Sequence, residues 1–531
     1  MAEFDPPAVA ALRRIHRALA GPDVRSSYRL TRKLLLRSLG FVYLIAFAIA
    51  VVQLVPLIGS VGLTPIEAWL DRLARHHGSR DAAFWEVPTL LWFDHSDVSL
   101  RAIAIAGLVI SALVVLGLEN AFAFVLLWIL YLSIVHVGQR WYSFGWETQL
   151  LETGFIAVFW CPWLRLRAHA GDPPTRTWGP SQVPIWLYRW LIVRIMLGAG
   201  LIKLRGDPCW TELRCLDTHF ATQPIPGPLS PWFHALPRPL LSVGVLFNHV
   251  AELLAPLFVF GPRRARHIAG AIIVGFQVTL IVSGNLAFLN WLTIVPALAC
   301  FDDQWLRRLI PSRWRERTPE PIEPPPRAAS KWLALVFAAV VAWLSLPVLA
   351  NLLGRDQAMN RSYGRLHLVN TYGAFGSVGE RRLELIVEGS DAEDPQAPDA
   401  RWQAYEFRCK PGAVDRRPCW ITPYHLRLDW LAWFAALEDE HRGGLEREDW
   451  LLHLVYKLLQ GDPVARELLA PDNPFADAPP RWIRVHVYEY RMAPPSSDAT
   501  WEREWVGELI GPVSGDDPRL TDYLRRRGWI S

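Results

Sequence analysis

Nine long apolar runs constrain the fold of this chain more than any other feature of its sequence. Crossing the hydrocarbon core of a bilayer takes about 20 predominantly apolar residues, so each run predicts a membrane span. Several runs are short and are compatible with tilted or re-entrant segments. We therefore predict a polytopic α-helical membrane protein with about nine spans, followed by an extramembrane α+β domain. The runs lie near residues 38–58, 101–118, 121–137, 148–163, 185–203, 240–260, 268–283, 285–300 and 331–352.

The composition excludes an ordinary soluble protein. Hydrophobic residues make up 51% of the 531 residues and charged residues 20%, whereas soluble domains carry about 25% charged residues. The charge is divided unevenly, because residues 1–352 have a net charge of +10 and residues 353–531 have one of −6. Membrane proteins concentrate Arg and Lys in cytoplasmic loops, so the basic region does not require a nucleic acid. We expect membrane lipids, and no nucleic acid, among the partners.

The basic loops predict the orientation of the chain. Moving Arg or Lys across a bilayer is costly, so such loops remain cytoplasmic. With nine spans, the basic N-terminus and the segments 165–167, 263–267 and 307–317 all fall on one side. We predict a cytoplasmic N-terminus and a tail that lies on the opposite side from residue 353 onward. The first run is too deep for a signal peptide and no small-residue cleavage site follows it, so it is predicted to be an uncleaved span.

Composition divides the chain into five regions. Pro-rich sequence among Arg and Glu cannot form a packed core and predicts an extended linker before the last span. The regions are a basic cytoplasmic N-terminus (1–37), a multi-span helical membrane domain (38–310), a Pro-rich cytoplasmic linker (311–330), the last transmembrane span (331–352) and an extracytoplasmic α+β domain (353–531).

Local patterns predict the elements of the last region. β-branched or alternating residues predict strands at 383–387 and 483–490. Apolar residues at helical spacing predict helices at 428–437 and 450–459. The three glycines within 371–379 predict turns between short strands.

Two close cysteine pairs fall on the predicted outer side of the membrane. Cys209 and Cys215 lie after the fifth run, and Cys409 and Cys419 lie in the tail. Close pairs on an oxidising side favour disulfides, although six cysteines allow 15 full connectivities. The alternative for each pair is two ordinary buried thiols. Cys161 and Cys300 lie at the inner ends of predicted spans.

Motifs with strict catalytic or cofactor spacing do not occur in the sequence. There is no GxxxxGK[ST], HExxH, GxSxG or paired CxxC, and we predict neither a cofactor nor a metal. Ionisable residues within the apolar runs are then the candidates for a functional site. Such groups are costly at membrane depth unless they are paired, wetted or functional.

Lys203 is the first of these candidates. The chain has five Lys against 50 Arg, yet the run 185–203 ends on a lysine. A desolvated lysine can lose its proton and act as a base, which an arginine cannot do. The interpretation that we favour is structural, with a side chain that extends to the outer interface or forms an ion pair.

Acidic residues and a histidine supply the other candidates. Glu147 and Glu152 lie about 140° apart on a helix, so both face the bundle only if its interior is wet or ion pairs form. A structural pair with Arg or Lys is the favoured interpretation. His249 and Glu252 share a helix face by their spacing of three, with Asn248 beside them. Two ligands do not make a metal site, and interhelical hydrogen bonding is the favoured role.

Several stretches of the sequence resemble the lipase maturation factor family. The longest is GLIKLRGDPCWTELRCLDTHFATQPIPGPLSPWFHALP at 200–237. The resemblance covers most of the chain. It continues in FGWETQLLETGF at 144–155, FNHVAELLAPLFVFGPRR at 247–264, GNLAFLNWLTIVPALACFDD at 284–303, NTYGAFGSVGERRLELIVEG at 370–389 and RPCWITPYHLRLDWLAWFAAL at 417–437.

The resemblance implies a function in protein maturation. Mammalian members are polytopic proteins of the endoplasmic reticulum membrane that certain secreted lipases need in order to fold and assemble, and their C-terminal region engages the lipase. It implies a chaperone for a secreted lipase or related client, and not an enzyme. The Arg bias and the Pro-rich linker favour a GC-rich genome. A bacterial protein of this kind would lie in the inner membrane.

Two functions of different kinds remain open, a chaperone for a protein client and a membrane enzyme. In the chaperone hypothesis, Trp420, Trp430, Trp433 and Trp482 of the tail present apolar surface to the client, unless they are core residues. The alternative is a membrane enzyme, because Lys203 with Asp207 and Trp210 is similar to the vitamin K dependent carboxylase-like proteins. In that hypothesis Lys203 is the base that acts on a quinone or another lipid-soluble substrate. Convergence of Lys203, Glu147, Glu152 and His249 on one cavity would favour the enzyme.

Overall fold

Helices form most of the chain up to residue 353. The computed structural model describes residues 27–163, 181–311, 328–441, 448–494 and 496–531. The predicted basic segment 165–167 and most of the predicted linker 311–330 lie outside the described residues. The helices of this part are α1 (Arg29–Ile58), α2 (Ile66–His77), α3 (Arg80–Glu86), α4 (Asp97–Val115), α5 (Ala121–Val137), α6 (Gly145–Val158), α7 (Val183–Gly206), α8 (Pro208–Thr211), α9 (Leu216–Thr222), α10 (Ser230–His234), α11 (Arg238–His249), α12 (Arg263–Ser283), α13 (Leu289–Ala297), α14 (Asp303–Leu309) and α15 (Ala328–Leu353).

Each of the nine apolar runs contains helix, but the helices differ in length. Within the described residues, six are long and apolar enough to cross a membrane, namely α1, α4, α7, α12, α15 and α11 with its continuation to Phe258. α5 and the segment Leu289–Cys300 are apolar but shorter. A membrane protein with a further domain is therefore confirmed, whereas the count of nine spans is not.

The continuation of α11 departs from regular α-helix. Val250–Leu254 is a π-helical turn and Ala255–Phe258 is a 3-10 turn. Pro256 has no N–H group to donate to the carbonyl of Glu252, so the regular hydrogen-bond ladder cannot continue through this position. The irregular turn sets the direction of Glu252.

Two neighbouring carboxylates, Asp302 and Asp303, link helices at one end of the bundle, here called the basic end. Asp303 accepts hydrogen bonds from the backbone N–H groups of Arg29 and Leu30 at 2.8 Å each. Helix N-termini have unpaired N–H groups that favour a negative charge. This contact explains why α1 begins at Arg29, ahead of the predicted span at 38. Asp302 pairs with Arg263 at 2.5 and 2.8 Å.

The opposite end, here called the tail end, carries the C-terminal region. Gln53 of α1 donates to the carbonyl oxygen of His425 at 2.7 Å and accepts from the N–H group of Arg427 at 3.0 Å. Asn285 donates to the carbonyl oxygen of Cys419 at 2.8 Å. Gln53 lies 24 residues after Arg29, which is about 36 Å along a helix. The two ends are therefore separated by more than the ~30 Å hydrocarbon core of a bilayer.

The C-terminal region, here called the tail, is an antiparallel sheet covered by helices. Its elements are β1 (Arg382–Ser390), β2 (Gln403–Tyr405), α16 (Arg427–His441), α17 (Asp449–Leu459), α18 (Pro463–Leu468), β3 (Trp482–Met492), β4 (Trp501–Val513) and α19 (Pro518–Arg527). The strand order is β2-β1-β3-β4, with all neighbours antiparallel. α16 packs against β1 and α17 against β3. The two predicted strands and the two predicted helices are confirmed.

The glycine-containing segment 371–379 differs from its prediction. It forms no strand, so its glycines do not connect strands. Instead the segment packs along the last turns of α7. A β-carbon at Gly198 would clash with the carbonyl oxygen of Tyr372, and one at Gly206 would clash with that of Gly376. Close approach of the backbone of this segment is the reason for glycine at both positions of α7.

A single buried apolar cluster extends from the bundle into the tail. It includes Leu39 and Leu191 of the membrane helices and Leu385 and Leu454 of the tail. Because the tail shares this core, its position on the bundle is fixed by packing as well as by hydrogen bonds.

Candidate functional site

Glu147 lies at the junction of the bundle and the tail. Its carboxylate accepts from Nη1 of Arg427 and from Nε1 of Trp146, both at 2.9 Å, and from the hydroxyl of Tyr131. The guanidinium of Arg427 lies over the ring of Tyr142, 3.4 Å from the ring centre. Glu147 and Arg427 are both fully buried. The carboxylate is neutralised by a cation from the tail.

Glu152 has a second arginine partner and a second link to the tail. It pairs with Arg194 of α7, and both side chains are buried. It also accepts from the backbone N–H of Asn370 at 3.1 Å and from the hydroxyl of Tyr372 at 2.7 Å. Arg194 in turn donates to the carbonyl oxygen of Asn370 at 2.8 Å. The structural ion pairs expected for the two glutamates are thus present, with different arginines.

Lys203 does not extend to the interface. Its side chain is 3% exposed and Nζ donates to both carboxylate oxygens of Glu252, at 2.5 and 2.7 Å. Asn248 donates to the same carboxylate at 3.0 Å, and Nζ lies 5.0 Å from the ring centre of Trp210. The expectation of a solvent-reaching lysine is wrong and the ion-pair alternative is correct, because the irregular turn after α11 brings Glu252 to α7.

His249 is directed to a different partner from its neighbour Glu252. Its Nε2 lies 3.0 Å from the carbonyl oxygen of Trp210. Among the described residues, its buried Nδ1 has no hydrogen-bond partner. The structure therefore does not unite His249 and Glu252 in one set of ligands.

A large cavity adjoins the Lys203–Glu252 pair. Its volume is about 880 Å³, near the upper end of the range of small-molecule sites. Helices α7, α11, α12 and α13 contribute to its wall, together with α16 and the segment 372–377 of the tail. Lys203, Glu252 and Asn248 line it, whereas Glu147, Glu152 and His249 do not. The four residues expected to converge in an enzyme thus have four different partners, and Lys203 alone of them lines the cavity.

The four candidate tryptophans are in different surroundings. Trp420 is 51% exposed. Trp430 is buried against Trp146, with ring centres 5.2 Å apart, and it lines the cavity. Trp433 also lines the cavity and donates to the carbonyl oxygen of Thr222 at 3.0 Å. Trp482 is half-buried and donates to the carbonyl oxygen of Ala392 at 3.1 Å. Trp420 alone of these four presents most of its surface outward.

The two predicted cysteine pairs are close enough for disulfides. The sulfur atoms of Cys209 and Cys215 lie within bonding distance, with Cα atoms 4.8 Å apart. Those of Cys409 and Cys419 do so as well, with Cα atoms 5.9 Å apart. Both Cα separations lie in the usual range for disulfides. Cys161 and Cys300 are buried and unpaired.

Two buried histidines of the tail end remain neutral at physiological pH. Burial lowers the pKa of His219 to about 4, and the nearby Lys203 cation acts in the same direction. Burial and Arg427 hold the pKa of His425 well below its usual value. Because His219 lines the cavity, it adds a neutral polar group to the wall and no charge.

Sequence reasoning missed several residues of this region. Arg194 lies inside the run 185–203 and could have been found as an ionisable residue in an apolar helix. Arg427 and Asn370 could not, since their role arises from tertiary contact across the chain. Three buried amides of the cavity wall, Gln149, Gln277 and Asn290, stand in or beside apolar runs and carried the same signal as the charged candidates.

Comparison with known protein families covers both parts of the chain. The model of the lipase maturation factor transmembrane domain matches residues 30–308. That of the lipase maturation factor C-terminal domain matches residues 368–511. The carboxylase-like alternative receives no support from these matches.

Curated relatives match over nearly the whole chain. Lipase maturation factor 1 of Bos taurus is 46% identical over 528 residues, which cover 95% of this chain and 92% of that protein. The Homo sapiens protein of that name is 45% identical over 529 residues, covering 95% and 91%. Lipase maturation factor 2 of Homo sapiens is 30% identical over 619 residues, covering 94% and 85%. No solved structure matches the chain significantly. The chain therefore belongs to the lipase maturation factor family.

Proposed function

We propose that this protein is a membrane-anchored maturation factor that assists the folding and assembly of secreted lipases. The observation that carries the proposal is its 46% identity over 528 residues to a protein named lipase maturation factor 1. The identity extends through both the bundle and the tail, so the two proteins share both parts. The client is a secreted lipase or a related secreted protein.

The tail acts on the client from the non-cytoplasmic side. The basic end carries Arg29, Arg263 and Arg307, and the tail packs at the other end. Basic residues favour the cytoplasmic face, so we assign the basic end to the cytoplasm and all nine helical segments to the membrane domain. The membrane is that of the endoplasmic reticulum in a eukaryote and the inner membrane in a bacterium.

The tail works as a chaperone that is held at the membrane surface. Its buried links to Glu147 and Glu152 support this assignment, since they hold it against the bundle while its outer face remains accessible. Trp420 is an exposed aromatic residue of that region, and exposed aromatic side chains are frequent anchors of protein interfaces. We propose Trp420 as a contact with the client.

Co-expression with a secreted lipase tests the function. Cells that lack their own lipase maturation factors would receive a lipase alone or together with this protein, and the activity per mass of secreted lipase would be measured. We expect the protein to raise this specific activity, and Trp420→Ala to reduce the gain at least about threefold.

The matched control is Trp85→Ala, because Trp85 is also exposed but lies outside the tail, on α3. It should retain the gain. A full-length protein that reaches the membrane in normal amount and leaves the specific activity of every lipase tested unchanged would refute the proposed function.

A further inference from the structure

The charged groups in the interior of the cavity cancel each other. Lys203 and Glu252 form a bidentate contact at 2.5 and 2.7 Å, and Asn248 satisfies the same carboxylate. The other charged lining residues, among them Arg355 and Asp356, are at the exposed rim. A charged group brought into the interior would have to break the Lys203–Glu252 pair and lose its own hydration. The interior therefore suits an uncharged ligand.

A layer of amides lies deeper in the cavity. Asn290 donates to the side-chain oxygen of Gln277 at 2.8 Å, and Gln149 donates to Thr293 at 3.2 Å. The amide nitrogen of Gln277 has only the thioether of Met196, at 3.9 Å, as a partner among the described residues. Gln277 is buried and lines the cavity. A buried amide donor with so weak a partner favours a ligand that offers an oxygen acceptor.

The depth of this layer follows from the position of Met196 on α7. Met196 precedes Lys203 by seven residues, which is about 10 Å along the helix toward the basic end. Around and between the two polar layers the wall is apolar, with Ile195, Ala199, Ile202, Phe220 and Phe276 among its residues. The cavity thus combines a polar inner end with a long apolar wall. This distribution of polar and apolar groups matches that of an amphiphile.

The bilayer is the natural source of the ligand. Two helices of the wall, α11 and α12, also have exposed apolar residues that do not line the cavity, Val243 and Leu246 on α11 and Val278 on α12. Both helices belong to segments that are long and apolar enough to span a membrane. A cavity walled by helices of this kind lies next to the lipid phase.

From these observations we infer that the cavity binds an uncharged membrane lipid, with a hydroxyl or ester head at the Gln277 layer and its acyl chain along the apolar wall. Monoacylglycerols and diacylglycerols have this chemistry. The inference goes beyond the proposed function, because nothing in the maturation of a protein client requires a lipid inside the bundle. Its test does not measure lipase activity, so either proposal can fail without the other.

Photolabelling of the full-length protein in phosphatidylcholine vesicles tests the inference. The probe is a monoacylglycerol with a photoreactive acyl chain, and the label incorporated is measured with and without unlabelled competitors. We expect saturable labelling that unlabelled monooleoylglycerol abolishes and that oleate or phosphatidylglycerol at equal concentration does not. Labelling that oleate and phosphatidylglycerol reduce, and that monooleoylglycerol does not, would overturn the inference.

Two variants with a matched control locate the site. Ala199→Phe fills the cavity from α7, and Gln277→Leu removes the amide donor at similar volume; each should reduce labelling at least about tenfold. Val243→Phe adds the same ring to the exposed outer face of α11 and should label normally. Melting temperature identifies variants that fail to fold. Undiminished labelling of Gln277→Leu, or of a folded Ala199→Phe, would contradict the assignment of the site.

Discussion

At the scale of single residues, the ion pair between Glu147 and Arg427 is the contact that ties the tail to the bundle most directly. Both side chains are fully buried and their charges are 2.9 Å apart. Removing one member of a buried pair leaves an uncompensated charge and costs about 3–5 kcal/mol, whereas replacing both members is often tolerated. The pair is therefore a position where a double substitution should be milder than a single one.

We predict that Arg427→Met lowers the stability of the purified protein by about 3–5 kcal/mol. The double variant Arg427→Met with Glu147→Gln should recover part of this loss, since it leaves no buried charge. Thermal unfolding in detergent measures both changes. Additive losses in the double variant would show that the two charges do not stabilise each other.

A second prediction at this scale concerns pH. Burial lowers the pKa of His453 to about 4, and its Nδ1 lies 2.7 Å from the carbonyl oxygen of Leu63. Above about pH 6.5 the folded and unfolded states are both neutral and the stability is complete. As the pH falls toward 4, only the unfolded state binds the proton, so the folded state loses about 2 kcal/mol by pH 5.

The variant His453→Gln should weaken this pH dependence while keeping a donor for Leu63. The melting temperature at pH 7.5 and at pH 5.0 measures the effect, with His76→Gln as the control because His76 is exposed. We expect the difference between the two pH values to shrink in His453→Gln only. An unchanged difference would mean that His453 titrates equally in both states.

At the scale of elements, the loop between Cys409 and Cys419 connects the sheet to α16. Its backbone is held by Asp429 of α16, which accepts from the N–H groups of Cys409 and Lys410 at 2.6 and 2.9 Å. Burial raises the pKa of Asp429, and these hydrogen bonds oppose the rise. A crosslink here would close a loop that hydrogen bonds already shape.

We predict that Cys409 and Cys419 form a disulfide in the mature protein and that it stabilises the tail by about 2–3 kcal/mol. Mass spectrometry of unreduced, alkylated peptides should detect the crosslinked pair. Replacing both cysteines by serine should lower the melting temperature. Two alkylated thiols in freshly prepared material would exclude the bond.

The elements also show how far the sequence alone predicts this structure. Apolar patterns identified β1, β3, α16 and α17, because each of these elements contributes several apolar residues to the shared core. β4 escaped prediction since it lies at the sheet edge, where most of its first residues are exposed and charged.

The candidate site was predicted less completely than the fold. Lys203, Glu147 and Glu152 were recognised as costly charges, but their partners were not named. Arg427 is 280 residues from Glu147 and Asn370 is 218 residues from Glu152, and no local pattern reports contacts of that range. The cavity is formed by the packing of α7, α11, α12, α13 and α16, so its existence depends on tertiary structure that local patterns do not encode.

At the scale of the whole molecule, the two ends of the bundle define its orientation. At the basic end, Asp303 accepts from the backbone N–H of Arg29 and Asp302 pairs with Arg263, and the tail covers the other end. We predict that a reporter fused after residue 531 is active only when it is a marker for the non-cytoplasmic side. The same reporter fused before residue 1 should be inactive.

Cysteine labelling by a membrane-impermeant reagent gives an independent measurement of orientation. In sealed vesicles whose exterior corresponds to the non-cytoplasmic side, a cysteine introduced at the exposed Trp505 of β4 should be labelled from outside, and one at the exposed Leu309 of α14 should not. Labelling of Leu309→Cys and not of Trp505→Cys would invert the proposed topology.

The distance along the chain between Glu147 and Arg427 has a consequence for biosynthesis. Glu147 is translated 280 residues before its partner. At about 5–20 residues per second, this interval is tens of seconds. During that time the nascent protein carries this carboxyl group without the guanidinium that neutralises it. A chain that stops before residue 427 therefore never receives the arginine that neutralises this buried acid.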